Sequence, residues 1–434
     1  MAIAYSGGLD SSVLLHLCAN FAKKYATYLI VFHIHHGISA NADKWAEHCQ
    51  QECKKLGLPF EAAYVQLERT SAEGVEATAR KKRYAALGEL CRRHQIDMVL
   101  TAHHQDDQAE TMLLQLLRGT GVPGLCGMQQ CHVAEGLLGS PTLLLARPLL
   151  ECTRVELENY AAEHQISHID DESNIDVFFK RNALRHQIMP ILAQHFPGYQ
   201  TRFSRTAHHA QSALYLLEQL AEQDYLSCVS SSITQSDLNV TQLEKLPDAR
   251  IDNVLRYWLA THHVKMPATA RLAEMRKQLL HARDDAQVCV KHGEIEVYRY
   301  RQQLSIATCA KPPPETQDVV WKGEVSLCFP AFFGTLFFDP VTAGQPGIDR
   351  TWLLKQQLQL RARQGGERLK LAINRPTRSI KSHYQTNGIP YWQRERLPFI
   401  FVGNDLLFAA GVGVHGDFQT MGDNCITLRW QSLE

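Results

Sequence analysis

Seven residues near the start of the chain, Ser6-Gly7-Gly8-Leu9-Asp10-Ser11-Ser12, restrict its fold more than any other stretch. A short apolar run, Ile3-Ala4-Tyr5, precedes them, and Val13, Leu14, Leu15 and Leu17 follow at helical spacing, so the loop joins a strand to a helix. Paired glycines let backbone N–H groups approach a phosphate closely, and the N-terminus of a helix adds unpaired donors and its positive dipole end. Ser11 and Ser12 are placed to cap the helix or to donate to phosphate oxygens. Asp10 fits beside a phosphate only with a cation such as Mg²⁺ between them. No lysine follows in the G-x-x-x-x-G-K-[ST] pattern, so this is not a Walker loop. Ser, Gly and Asp also build ordinary tight turns, and the loop alone leaves that reading open.

The 434 residues suggest two or three domains at ~150 residues each. Formal charge is zero, so affinity for nucleic acid requires local segregation of charge. Twelve cysteines are scattered without a C-x-x-C pair, as expected of reduced thiols in the cytoplasm. No apolar run approaches the ~18 residues of a membrane span, and no signal-peptide pattern opens the chain. A membrane partner is therefore not expected.

Tyr28 to His36 reads as a second buried strand ending in His33, His35 and His36, and Met98–Ala102 as another ending in His103-His104-Gln105-Asp106-Asp107. Ligands bind at such carboxyl ends in doubly wound sheets. His33 and His35 share a face, but no third metal ligand stands at a convincing spacing; contact with nucleotide or with water is the simpler role. Asp106, Asp107 and Glu110 suit a helix N-terminus electrostatically, yet the expected sheet brings them beside the Ser6–Ser12 loop, where carboxylates serve a metal or a substrate amine. The basic helix around Arg80-Lys81-Lys82-Arg83 begins after a strand end, so one arginine can turn toward phosphates. An acidic turn, Asp170-Asp171-Glu172-Ser173-Asn174, precedes Lys180-Arg181-Asn182 and a helix bearing Arg185. Alternating βα units over this stretch predict a parallel sheet covered on both faces.

The second half reads differently. A long helix from Phe203 to Leu226, a serine-rich link at Ser227–Gln235, helices at Arg250–His262 and Ala268–Leu280 and strands near residues 288–306 make a small, mostly helical middle domain. Leu255, Trp258 and Leu259 are read as its core. Lys311-Pro312-Pro313-Pro314 is a stiff linker, and short alternating apolar runs beyond it predict a β-rich terminal domain. Between Arg361 and Arg396 nine Lys or Arg residues stand against two acidic ones, interleaved with Tyr384, Tyr391 and Trp392. Cations with aromatics are the expected surface for RNA.

In order and spacing, S-G-G-L-D-S-S, H-I-H-H-G-I-S, E-A-T-A-R-K-K-R-Y, H-H-Q-D-D-Q-A-E-T, and R-P-L-L through D-D-E-S-N to R-N-A-L-R resemble the tRNA(Ile)-lysidine synthetases, a branch of the PP-loop ATP pyrophosphatases. The resemblance implies an α/β fold: an N-terminal doubly wound, Rossmann-like PP-loop catalytic domain at 1–200, a helical, tRNA-contacting middle domain at 201–310 and a basic tRNA-binding domain at 311–434. It implies a ligase that adenylates the wobble cytidine of an isoleucine tRNA with a CAU anticodon and joins free L-lysine to its C2, releasing pyrophosphate and AMP. ATP and Mg²⁺ are the implied cofactors. Ser6, Gly7, Gly8, Leu9, Asp10, Ser11, Ser12 and His33 are expected at the nucleotide, Asp10 also at the metal, and Asp10, Asp107, Arg80 and Arg181 in catalysis, with Asp107 or a neighbouring carboxylate taking the lysine proton. The chain departs from the family pattern at His35 and Ser39, and it begins only five residues before the loop, implying a late start or an unusually short first strand. A homodimer is compatible with the sequence. The competing expectations are tRNA thiolation, disfavoured by the dispersed cysteines, an amidotransferase, for which no glutaminase segment is evident, and an RNA-binding protein with a vestigial nucleotide site.

Overall fold

The computed structural model describes residues 1–35, 37, 41–66, 75–169, 180–229, 237–282, 288–308, 314–342 and 344–432, with the backbone alone at 75–77. The acidic turn at 170–174, His36, Ser39, most of the serine-rich link and Lys311–Pro313 lie outside these residues. Two compact bodies, Met1–Gln223 and Asp224–Glu434, are each described by themselves. Among the described residues no helix is long and apolar enough to cross a membrane.

The first body is built on strands β1 (Ala2–Ala4), β2 (Ile30–His35), β3 (Phe60–Tyr64), β4 (Met98–Leu100), β5 (Cys131–Val133) and β6 (Leu144–Ala146). Helices α1 (Leu9–Tyr25), α2 (Ala42–Leu56), α3 (Val75–Arg93), α4 (Gln105–Leu117) and α5 (Arg154–Glu163) alternate with them. Their order in the sheet is β3-β2-β1-β4-β6-β5. All neighbours are parallel except β5, which runs antiparallel along β6. That edge strand was not expected; three residues between turns carry no readable periodicity.

Alternation along the strands sorts the two covered faces. Ile3, Tyr5 and Val31 pack with Val13 and Leu14 of α1, Cys49 and Cys53 of α2, and Leu157 of α5. Ala2, Ile30, Phe32 and Ile34 face the other way, against Tyr84, Leu87 and Leu90 of α3. Burial on both faces explains why β2 reads as a continuous apolar run. Chain order reverses between β1 and β4, so the loops leaving these two strands open side by side. Beyond α5 come the helical turns Lys180–Ala183, Leu184–Ile188 and Met189–His195, the middle one a π-turn, and then a 30-residue helix, α6 (Tyr199–Cys228).

In the second body a four-stranded antiparallel sheet, whose strands include Val288–His292, Ile295–Tyr300 and Gln303–Thr308, packs on helices Asp248–Thr261 and Thr269–Leu280. Leu255, Trp258 and Leu259 are buried in that core, as expected. Farther on, a five-stranded and a four-stranded sheet share one core, contributed by Leu358, Leu360, Ile400 and Phe408 from the first and Leu336, Phe338, Ile426 and Leu428 from the second.

The basic segment corrects one expectation. Tyr384 is fully buried, its hydroxyl donating to the Ala410 carbonyl at 3.0 Å, and Trp392 is buried against Tyr298 with ring centroids 4.2 Å apart and planes 10° apart. These aromatics are packing groups, and they leave the RNA reading of the segment resting on its cations. Arg368, Arg375, Arg378, Lys381 and Arg396 are exposed.

One close approach demands glycine. A Cβ on Gly88 of α3 would lie 1.9 Å from the carbonyl oxygen of Leu138, which is backbone and cannot swing aside. Gly88→Ala is expected to destabilise the fold by about 2 kcal/mol through overpacking. A urea titration checks this; an unchanged midpoint contradicts it.

Candidate active site

Below the carboxyl ends of β1, β2 and β4 lies a cavity of about 1250 Å³, lined among others by Ser6, Asp10, His33, Arg83, His104 and Arg154. It exceeds the ~300–1,000 Å³ of a pocket for one small ligand. The Ser6–Ser12 loop forms one wall. Gly7 has φ +88°, and a Cβ there would meet Ile169 Cδ1 at 2.8 Å and Cys49 Sγ at 3.0 Å, so the turn excludes other residues on both counts. The serine hydroxyls hold the loop together: Ser11 Oγ donates to the Gly8 carbonyl at 2.9 Å, Ser12 Oγ to that of Gly7 at 3.3 Å, and Ser6 Oγ stands 3.0 Å from Ser11 Oγ. Gly8 caps α1 without a side-chain hydrogen bond, so the leading N–H groups of the helix are left for an anion.

His33 supports this loop from below. Its Nδ1 is 2.9 Å from the Tyr5 carbonyl and it is buried, which lowers its pKa and keeps the ring neutral at physiological pH. A neutral ring with N–H at Nδ1 fixes Tyr5, the residue that follows β1 and leads into the loop.

Asp10 points from the first turn of α1 into the cavity. Arg154 Nη1 holds both its oxygens, at 2.6 and 2.7 Å, and His104 Nε2 lies 3.7 Å from Asp10 Oδ2 and 3.4 Å from Asp107 Oδ2. Burial raises the Asp10 pKa against the pull of His104 and Arg154. The two carboxylates expected in the site are thus brought together at one imidazole nitrogen.

Asp107 is tied down further. Its carboxylate accepts from the His104 backbone N–H at 3.1 Å, from Arg181 Nη2 at 3.0 Å and from Arg185 Nη2 at 3.2 Å. Glu110, one turn along α4 and buried, accepts from Arg181 Nε at 2.8 Å and Arg185 Nε at 2.7 Å. Burial alone would raise the Asp107 pKa; the attraction of His104, Arg181, His103 and Arg185 outweighs it and lowers the value to about 2. Burial lowers His103 to about 3. Asp107 is therefore an ionised anchor and a weak proton acceptor.

Arg80 stacks on the ring of Tyr84, its Cζ 5.0 Å from the centroid, and does not line the cavity. Arg83, one turn on, does, and it makes no ion pair among the described residues. Arg154 was absent from the expected residues; Glu110 was expected beside the loop and lines the cavity, while Arg83, Arg185 and His104 stood in the expected stretches without an assigned role. Arg154 offered one signal: an arginine in the first turn of a helix opposes the dipole and so implies an anionic partner.

Among the described residues no cluster of three or more His, Cys, Asp or Glu could hold a metal ion. A single carboxylate at a phosphate-type loop fits Mg²⁺, which takes one or two carboxylates and completes its shell with phosphate oxygens and water.

An open α/β sheet with an uncapped glycine-serine loop at its switch point defines a PP-loop nucleotide-binding enzyme, and the family model described as the PP-loop domain matches residues 1–192. Models of the TilS substrate binding domain and the TilS substrate C-terminal domain match residues 238–305 and 358–430. The tRNA(Ile)-lysidine synthase of Burkholderia pseudomallei is 39% identical, the match covering 96% of this chain and 89% of that protein. The synthases of Nitrosomonas europaea and Coxiella burnetii are each 36% identical, covering 99% and 97% of this chain and 91% and 90% of theirs. The chain belongs to the tRNA(Ile)-lysidine synthase family, ATP-using ligases of the PP-loop class.

Loss of one buried partner strands the charges it balanced. Glu110→Gln is expected to destabilise the first body by about 3 kcal/mol, since two arginines lose a buried carboxylate. The Asp107 contribution, from a depressed pKa, is complete above the unfolded value of ~3.9 and lost as pH falls toward the folded one. Denaturant melts at pH 7 check the first statement; a Glu110→Gln midpoint equal to that of the parent contradicts it.

Proposed function

We propose that this protein joins free L-lysine to C2 of the wobble cytidine of an isoleucine tRNA with a CAU anticodon. The observation that carries the reading is the meeting of the Ser6–Ser12 loop with Asp10 and His104 inside one cavity, with Asp107 against His104, in a chain of this family. ATP lies with its phosphates on the N–H groups of the loop and of α1. Mg²⁺, held by Asp10, would supply charge neutralisation at the phosphates. The cytidine O2 attacks the α-phosphorus, pyrophosphate leaves, and the C2–O bond now carries AMP as leaving group. The lysine ε-amine attacks C2, the C2–O bond breaks, AMP departs with the bonding pair, and the amine nitrogen gives up one proton to solvent.

Arg181 keeps Asp107 charged, and Asp107 holds His104 beside Asp10 at the cavity. Because Asp107 is held at about 2 and His103 at about 3, neither retains a proton from an amine whose own pKa is ~10.4. The reactive amine is the free base delivered from solution. Arg83 rather than Arg80 reaches the cavity and suits the phosphates or the oxyanions formed on them.

Residues 1–200 serve as the catalytic domain, 201–310 as a middle domain that meets the tRNA, and 311–434 as a basic tRNA-binding domain, in a cytoplasmic enzyme. Thiolation is the weaker reading: among the described residues no cysteine lines the cavity, and burial raises the thiol pKa of Cys49 and Cys53 beneath the loop.

Incubation with ATP, labelled lysine and the tRNA, followed by mass analysis of the anticodon loop, tests the proposal. The cytidine should gain lysine less one water, and with lysine limiting the rate should climb about tenfold per pH unit below the amine pKa. An unmodified cytidine, or a rate that levels off near neutrality, contradicts it.

The exposed Arg375, Arg378 and Lys381 suit phosphate contacts. Replacing all three with Ala should weaken tRNA binding and reduce the slope of log affinity against log salt by about 3 × 0.9 for duplex contacts. A filter-binding salt series with an unchanged slope would remove this surface from the interface.

A further inference from the structure

Arg154 occupies an odd position. It opens α5, where the helix dipole disfavours a cation, yet three contacts fix it there. Its backbone N–H donates to Asp106 Oδ2 at 2.8 Å, its Nε to Glu158 Oε1 at 2.9 Å, and its Nη1 to both oxygens of Asp10. Asp106 also accepts from Gln200 Nε2 at 3.0 Å, so the pivot under Arg154 is held from two sides. The Arg154 side chain is 39% exposed on the cavity wall, and Glu158 gives its guanidinium a second carboxylate one turn away.

Both oxygens that a divalent cation would need on Asp10 are therefore already taken by a side chain able to leave. We infer that Arg154 is a positioning residue that competes with the divalent cation for Asp10 and, once displaced, turns to the phosphate oxygens of the nucleotide. The inference rests on reading Asp10 as the metal carboxylate. It makes metal and nucleotide binding mutually reinforcing. Without nucleotide the guanidinium neutralises Asp10 and the cation binds weakly; with the cation on Asp10 the guanidinium is free for an anion in the same cavity. Coupling of this kind is reciprocal, so each ligand tightens the other by the same factor. Glu158 keeps the displaced side chain near the cavity mouth instead of losing it to solvent. An idle loop would thus hold little divalent metal, and the site would assemble only around the metal–nucleotide pair.

The test is Mn²⁺ binding to the full chain, followed by electron paramagnetic resonance, without and with ATP. Arg154→Met should bind Mn²⁺ alone about fivefold more tightly, the size expected when one half-exposed ion pair stops competing. The same variant should bind ATP more weakly, and the mutual tightening of Mn²⁺ and ATP should shrink toward none. Arg154→Lys, which keeps a cation without the fork, should fall between the parent and Arg154→Met. Glu158→Gln, an exposed change that leaves Arg154 with Asp10 alone, should weaken Mn²⁺ binding about twofold. A structural role for Arg154 would move neither affinity, or would lower both. Mn²⁺ affinity unchanged or reduced in Arg154→Met, or unchanged in Glu158→Gln, overturns the inference. Asp10→Asn separates the two levels: if it weakens Mn²⁺ binding while Arg154→Met does not tighten it, the competition is wrong and the metal reading stands. If Asp10→Asn leaves Mn²⁺ binding intact, the metal reading of Asp10 falls as well.

Discussion

Two carboxylates on one face of α4 and two arginines on the helical turns beyond α5 hold the cavity end of the first body together. Asp107 and Glu110 each accept from both Arg181 and Arg185, so a segment more than seventy residues away in the chain is locked to the carboxyl end of β4. Such a lattice is favourable only while complete, because each buried charge relies on the others for its partners. Its position matters as much as its strength. It lies beside the switch point of the sheet, where the glycine-serine loop leaves β1, and His104 connects it to Asp10 across the gap.

That geometry divides the labour among acidic groups that look alike in sequence. Asp106 accepts from the Arg154 backbone and from Gln200 and is a structural anchor. Asp107 is kept ionised by arginines. Asp10, at a helix N-terminus, is paired with the partly exposed side chain of Arg154. Under the proposed reaction the site holds a polyphosphate, a nucleobase and an amine in succession, and assigning its negative charges in this way would let each ligand meet a different partner.

The loop was legible because its constraint is local: Gly7 at positive φ and serines that close the turn can be read from seven consecutive residues. The parallel sheet was legible through buried runs that end in polar clusters. Partners set by tertiary packing were not. Arg80 and Arg83 both lie next to the buried stripe of α3, and helical periodicity alone does not say which reaches the cavity. Arg154 meets Asp10 across 144 positions of chain. Tyr384 and Trp392 sit among cations in sequence, yet they point inward, because the short helices Ile380–Thr386 and Tyr391–Arg394 bury them, along with Arg394, while Lys381 and Arg396 stay outside. Interleaving in one dimension did not mean a shared face in three.

The central claim is that the loop and the cavity serve transfer of AMP to a tRNA pyrimidine before lysine takes part. The direct measurement uses ATP labelled at the α-phosphate, the purified protein and the isoleucine tRNA, with lysine left out, quenched and resolved to ask where the label lies. The account predicts label on the tRNA, released as free AMP when lysine is added. Label that stays in ATP, or appears as free AMP without ever residing on the tRNA, contradicts it.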